Sequence, residues 1–143
     1  MGNLSKNFSL YEFRCPCCGA VEVDPDLIEA LQKLRDLIGL PINITSGYRC
    51  KKHNREIGGT KGSYHLKGKA ADIYVTNLHP TKLYEKAKEI EAFKNGGIGI
   101  YLDEGFIHVD VRGYKARWAR VNGIYISIDA YKWISKREKG KSL

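Results

Sequence analysis

Between Ser63 and Asp72 the chain reads SYHLKGKAAD, and His108 follows 36 residues after Asp72 within FIHVDV. Two histidines and a carboxylate thus stand at three separated positions: His65, Asp72 and His108. Two imidazoles and a carboxylate are a donor set used by catalytic zinc, which keeps its fourth position for water or substrate. The spacing restricts the fold. His65 and Asp72 are seven residues apart with Gly68 between them, so they do not share one helix face as a His-Glu-x-x-His pair would. The pattern predicts a loop carrying His65, a turn at Gly68, and a strand beginning near Ala70 that presents Asp72. His108 is expected on a second strand beside it, with Ile107 and Val109 on the opposite face. Asp110, two residues further on, falls on the face of His108. There it is expected to orient the imidazole by a hydrogen bond, with assistance to proton transfer as the other reading.

The pattern Ser-x-His-x-x-Gly-x-Ala-x-Asp followed by His-x-Asp is filled by Ser63, His65, Gly68, Ala70, Asp72 and then His108. With ITSGYR upstream (44–49) and GGIGIY downstream (96–101), it resembles the zinc peptidases related to D-Ala-D-Ala carboxypeptidases and L-Ala-D-Glu endopeptidases. These cleave the peptide stems of bacterial peptidoglycan on a hedgehog-like fold. The resemblance covers roughly residues 8 to 118 and rests on separate segments that agree in order and spacing. It implies one Zn2+ held by His65, Asp72 and His108. It implies that Arg49, which ends SGYR, faces the substrate, where the planar fork of its guanidinium suits a carboxylate or a scissile carbonyl. Ser63 is expected to steady the metal loop or to contact substrate.

A general base must also lie near the metal site. Relatives place an Asp or Glu three residues before the second zinc histidine, and in this chain Gly105 stands there. Asp103 and Glu104, in the adjacent turn, are joint candidates. His53, in KKHN, matches a recurrent family position but has no expected ligand role, and His79 is expected at the surface. Tyr48, Tyr101 and Trp118 are expected to pack in the core rather than line the cleft.

A length of 143 residues suits a single domain, 1–143, that buries a core without disulfides. Its motif-bearing part is residues 8–118, with 119–143 an extension of unread role. A net charge of +8 favours an anionic partner; cell walls, with carboxylates and phosphate polymers, qualify. A nucleic-acid reading lacks support, because the chain has no second CxxC pair and no basic-aromatic interleaving. No apolar run reaches the ~18 residues of a membrane-spanning helix, and MGNLSKNFSLYEF has no apolar signal core. The expectation is a monomer made in the cytoplasm that acts at the bacterial wall, as a phage-type lysis enzyme or a wall-remodelling one. The contrasting class is a zinc-binding module of the same fold without catalysis, to which the missing acid at Gly105 gives weight.

Cys15, Cys17 and Cys18 crowd into RCPCCG, and Cys50 lies far downstream. The CxxC spacing of Cys15 and Cys18 allows a structural metal, but the adjacency of Cys17 and Cys18 makes a four-thiolate site awkward. Reduced thiols, or one disulfide to Cys50, are favoured over a second metal at Cys15, Cys17, Cys18 and Cys50.

Periodicity predicts an α+β fold, a small and mainly antiparallel sheet with helices against one face. Phe8 to Phe13 is a short lead-in. Asp24-Pro25 starts a helix whose stripe is Leu27, Ile28, Leu31, Leu34, Leu37 and Ile38, and Gly39 ends it. PINITS and KAADIYV are strands, Arg49 to Ile57 a short polar helix, GGTKGS a loop, and Pro80 to Lys94 one further helix. GGIGIY and FIHVDV pair about LDEG. ARWARV and IYISID form a hairpin about Asn122-Gly123. AYKWISKR is a last amphipathic helix, and KREKGK (136–141) a solvated tail.

Overall fold

The computed structural model describes the backbone of residues 2–141, with side chains as far as residue 136. Helix α1 (Pro25–Ile38) begins where Asp24 accepts a hydrogen bond from the Asp26 amide at 2.8 Å and Pro25 fills the first turn. It ends at Gly39, which has φ 67°. Leu27, Ile28, Leu31 and Leu34 are buried as the stripe predicts, but Leu37 is 45% exposed. At about 100° per residue, it is turned roughly 110° from the centre of the stripe.

Strands β1 (Asn43–Ser46) and β2 (Ala70–Tyr74) match the two β-rich runs, and α2 (Lys51–Glu56) the polar segment between them. The single helix expected over 80–94 is instead two, α3 (Pro80–Ala87) and α4 (Glu91–Lys94). Ile90 breaks them with extended backbone, φ −89° and ψ 118°. No helix-breaking residue causes this. The break lets Ile90 and Phe93 both reach the core, so packing overrides local propensity.

Strands β3 (Gly97–Tyr101) and β4 (Phe106–Asp110) form the expected antiparallel pair. β5 (Ala116–Val121) and β6 (Ile124–Ile126) turn about Asn122 and Gly123, both at positive φ (53° and 76°). The last strand is shorter than expected, because Ser127 caps a helix at once: its Oγ accepts from the Ala130 amide at 3.1 Å. Helix α5 runs Ile128–Lys141. The backbone of the tail 136–141 is therefore helical, and its side chains beyond 136 lie outside the described residues. Among the described residues no helix is long and apolar enough to cross a membrane.

The six strands lie in the order β1-β2-β4-β3-β5-β6, antiparallel except for β3 against β5. Residues 116–126 thus complete the sheet. Alternation divides its two faces. Ala71, Ile73, Ile98, Ile100, Ile107, Val109 and Ala119 point to one face and are buried with α1, α3 and α4 in the core. The other face carries a row across the strands. Ser46 pairs with Asp72, Asp72 with His108, His108 with Gly99, and Gly99 with Trp118. A β-bulge at Thr45 brings Ser46 opposite Asp72.

Candidate active site

Asp72 and His108 are direct cross-strand partners, so the register of β2 and β4 alone brings two of the sequence-selected residues together. His65 arrives from a 3₁₀ turn, Tyr64–Lys67. Ser63 begins that turn, its hydroxyl accepting from the His65 amide at 3.3 Å. Gly68 ends it at φ 70°, and a Cβ there would stand 2.4 Å from the Glu22 carbonyl oxygen. Only glycine satisfies both demands. The segment Gly47–Arg49 grips His65 twice: Gly47 O meets Nδ1 at 2.7 Å, and the Arg49 amide donates to the His65 carbonyl at 3.1 Å.

His65, Asp72 and His108 are buried, and their ligating atoms lie within 4.8 Å of one another. Asp72 Oδ1 is 3.2 Å from His65 Nε2 and 3.2 Å from His108 Nδ1. The outer ring nitrogens fix the tautomers. His65 Nδ1 faces the Gly47 carbonyl and His108 Nε2 faces the Asp110 carboxylate at 2.7 Å. Both partners only accept, so both outer nitrogens carry protons. In the neutral rings, His65 Nε2 and His108 Nδ1 then present lone pairs toward the same carboxylate oxygen. Three acceptors converging in a buried space repel unless a cation stands among them. This donor set fits a metal ion of the borderline kind bound by imidazole and carboxylate.

Without a cation, positive charge on the imidazoles takes its place. Burial opposes charge on Asp72, yet the His65 and His108 imidazoles outweigh it and hold its pKa below the usual carboxylate range. Burial likewise opposes charge on His108, and hydrogen bonds to Asp110 and Asp72 overcome it, so its pKa is raised. Asp110 is fully buried and lowered, with His108 and Arg112 overcoming its desolvation.

Arg49 points Nη2 at Asp72 Oδ2 (3.2 Å), Nε at Ser46 Oγ (3.1 Å) and Nη1 at Asn54 Oδ1 (3.3 Å). Asn54 is in turn held by donating to the Thr60 carbonyl at 2.8 Å. Asp110 does more than orient His108. It accepts from the Gly97 amide at 2.8 Å and pairs with Arg112, whose Nη2 lies 2.7 Å from Oδ2. The Arg112 guanidinium stacks 4.5 Å from the Tyr64 ring centre and 5.4 Å from that of Trp118.

The three residues open into a cleft of about 600 Å3, whose lining includes Arg49, Ser63, Tyr101, Glu104, Arg112 and Trp118. Glu104 is on its rim, paired with Arg120 at 2.7 Å. Asp103 does not line it; its carboxylate accepts from the Asn122 amide and holds the β5–β6 turn. Tyr101 and Trp118 line the cleft instead of packing in the core, because they project from the site face of the sheet. Their side chains meet there, with Trp118 Nε1 donating to Tyr101 Oη at 3.2 Å. Tyr48 is half-buried outside the cleft. His79 is exposed and caps α3, accepting from the Thr81 amide at 3.1 Å. Arg112 and Asn54 escaped the sequence reading. Arg112 had a usable signal, being two residues past Asp110 and so on the same face; Asn54 had none.

This combination of fold and buried His-Asp-His group defines a candidate metallohydrolase. The chain belongs to the Peptidase M15 family, whose model matches residues 6–110. It is 34% identical over 103 residues to the peptidoglycan L,D-endopeptidase MepK of Escherichia coli (strain K12), covering 67% of this chain and 54% of that protein. It is also 34% identical over 105 residues to the probable peptidoglycan L,D-endopeptidase MepK of Haemophilus influenzae, covering 66% of this chain and 55% of that one. The chain therefore spans about half the length of the curated relatives it matches.

Gly99 makes the Trp118 wall possible, since a Cβ there would lie 2.3 Å from the indole. Gly99→Val is expected to push the indole off His108, at a cost of about 1–3 kcal/mol. Changed tryptophan fluorescence with an unchanged far-ultraviolet circular dichroism spectrum checks this; an unmoved indole contradicts it.

Proposed function

We propose that this protein is a zinc-dependent peptidase acting on the peptide stems or crosslinks of bacterial peptidoglycan at the cell wall, in lysis or in wall remodelling. One observation carries the reading: three buried acceptors, His65 Nε2, Asp72 Oδ1 and His108 Nδ1, converge at the floor of an open cleft. Family membership and the name of the relatives, L,D-endopeptidase, support cleavage within the stem over removal of a terminal D-alanine.

When bound by His65, Asp72 and His108, zinc supplies Lewis acidity toward a carbonyl and toward water. The chain's own residues do the rest. Gly47 and Asp110 hold protons on the outer imidazole nitrogens and so keep the inner ones as donors. All three kinds of Arg49 nitrogen are engaged by Asp72, Ser46 and Asn54. That supports Arg49 as a positioning residue that fixes Asp72, more than as a grip on substrate. Ser63 sets the His65 turn. Glu104, on the cleft rim, is the better candidate to take a proton and pass it to the leaving amine. Asp103 is assigned to the turn. Tyr101, Phe106 and Trp118 give the substrate an apolar wall.

Zinc-loaded protein incubated with purified peptidoglycan is expected to release peptide fragments, identified by mass spectrometry. Activity should vanish in His65→Ala and fall by roughly 10²–10⁴ in Glu104→Gln, which should keep its metal. Intact peptidoglycan with zinc still bound would overturn the peptidase reading and favour a non-catalytic binding module. A second prediction concerns Asp110. Asp110→Asn is expected to weaken zinc binding about 10–100-fold in competition with a chelator; unchanged affinity would show that Asp110 does not support the metal through His108.

A further inference from the structure

We propose that Cys15, Cys17, Cys18 and Cys50 hold a second metal ion, a structural zinc bound by four thiolates. All four are free of disulfides, and their sulfurs lie within 4.8 Å of one another. Cys15 Sγ is 3.6 Å from those of Cys17 and Cys50, and Cys17 Sγ is 3.3 Å from that of Cys50. These distances are far beyond the ~2.0 Å of a sulfur–sulfur bond. A tetrahedral site with zinc–sulfur bonds of about 2.3 Å would hold its sulfurs about 3.8 Å apart. The three separations therefore stand within about half an ångström of such a cage.

The local backbone shows how adjacent cysteines can serve one site. The Cys15 amide donates to the Ala20 carbonyl at 2.7 Å, and the Gly19 amide to the Cys15 carbonyl at 2.8 Å. Gly19, at φ 74°, closes this tight turn and lets Cys15, Cys17 and Cys18 converge. Cys50 comes from the start of α2. Amides are aimed at sulfur: Cys50 N–H at Cys15 Sγ (3.5 Å) and His53 N–H at Cys50 Sγ (3.4 Å). Such N–H groups complement the negative charge that a metal-bound sulfur carries. Thiols are weak donors, so their own mutual bonds explain the gathering poorly.

The placement suggests what the ion does. None of the four cysteines lines the His65 cleft. Cys50 directly follows Arg49, and the Tyr48 amide already donates to the Phe13 carbonyl at 2.8 Å. A metal at this point would clip the N-terminal segment to the loop that carries Gly47 and Arg49.

The test uses the whole chain purified under reducing conditions, and it needs no peptidase activity. Elemental analysis should find one metal equivalent beyond the one lost in a His65→Ala/His108→Ala variant. Replacement by Co2+ should give a near-ultraviolet sulfur-to-cobalt charge-transfer band, which a nitrogen and oxygen site cannot produce. The Cys17→Ser/Cys50→Ser variant should lose that band and that equivalent only. Should that variant not fold, alkylation of the native chain decides: four thiols protected until a chelator is added are expected. Absence of the band, rapid alkylation of metal-loaded protein, or a disulfide to Cys50 that persists through the reducing purification would each overturn the proposal.

Discussion

The antiparallel register of β2 against β4 is the constraint on which the site depends. It sets Asp72 opposite His108 and Ala70 opposite Asp110. A slip of β2 by one residue against β4 would send Asp72 to the core face, away from His108, and turn Ala71 and Ile73 outward. The apolar alternation of both strands resists that slip, since Ala71, Ile73, Ile107 and Val109 are all buried against the helices. Core packing and site geometry are therefore one requirement, met by the two faces of the same strands.

Around that pair, polar groups are arranged in depth. Each member of the His-Asp-His group has a dedicated partner behind it: Gly47 for His65, Arg49 for Asp72, Asp110 for His108. Each side-chain partner is held in turn, Arg49 by Ser46 and Asn54, and Asp110 by Gly97 and Arg112. Buried polar networks of this kind rigidify a site when every member is satisfied. Glycine supplies the room: Gly97 and Gly99 leave space for the Asp110 carboxylate and the Trp118 indole.

Much of this was legible in the sequence, for identifiable reasons. Capping at Asp24-Pro25, alternation about His108 in β4, and the Asn122-Gly123 turn are local signals, and each appears where expected. The Ile90 break was hidden, because only the packing of Ile90 and Phe93 against the sheet requires it. Leu37 fell outside the core through the drift of helical periodicity. For Tyr101 and Trp118 the sequence favoured the core over the cleft, since the choice depends on which sheet face the helices cover. The cysteines looked awkward as neighbours, and only the turn at Gly19 brings their sulfurs together. The difference between Asp103 and Glu104 is likewise one of tertiary contact, with Asn122 and Arg120 as their respective partners.

Everything proposed for the cleft follows from the convergence of lone pairs from His65, Asp72 and His108, and anomalous diffraction can see what they hold. Crystals of zinc-loaded protein, measured on both sides of the zinc absorption edge, should show a peak bonded to His65 Nε2, an Asp72 carboxylate oxygen and His108 Nδ1. Density at those three atoms without a zinc signal, or zinc bound through the outer imidazole nitrogens, would contradict that convergence as a metal site.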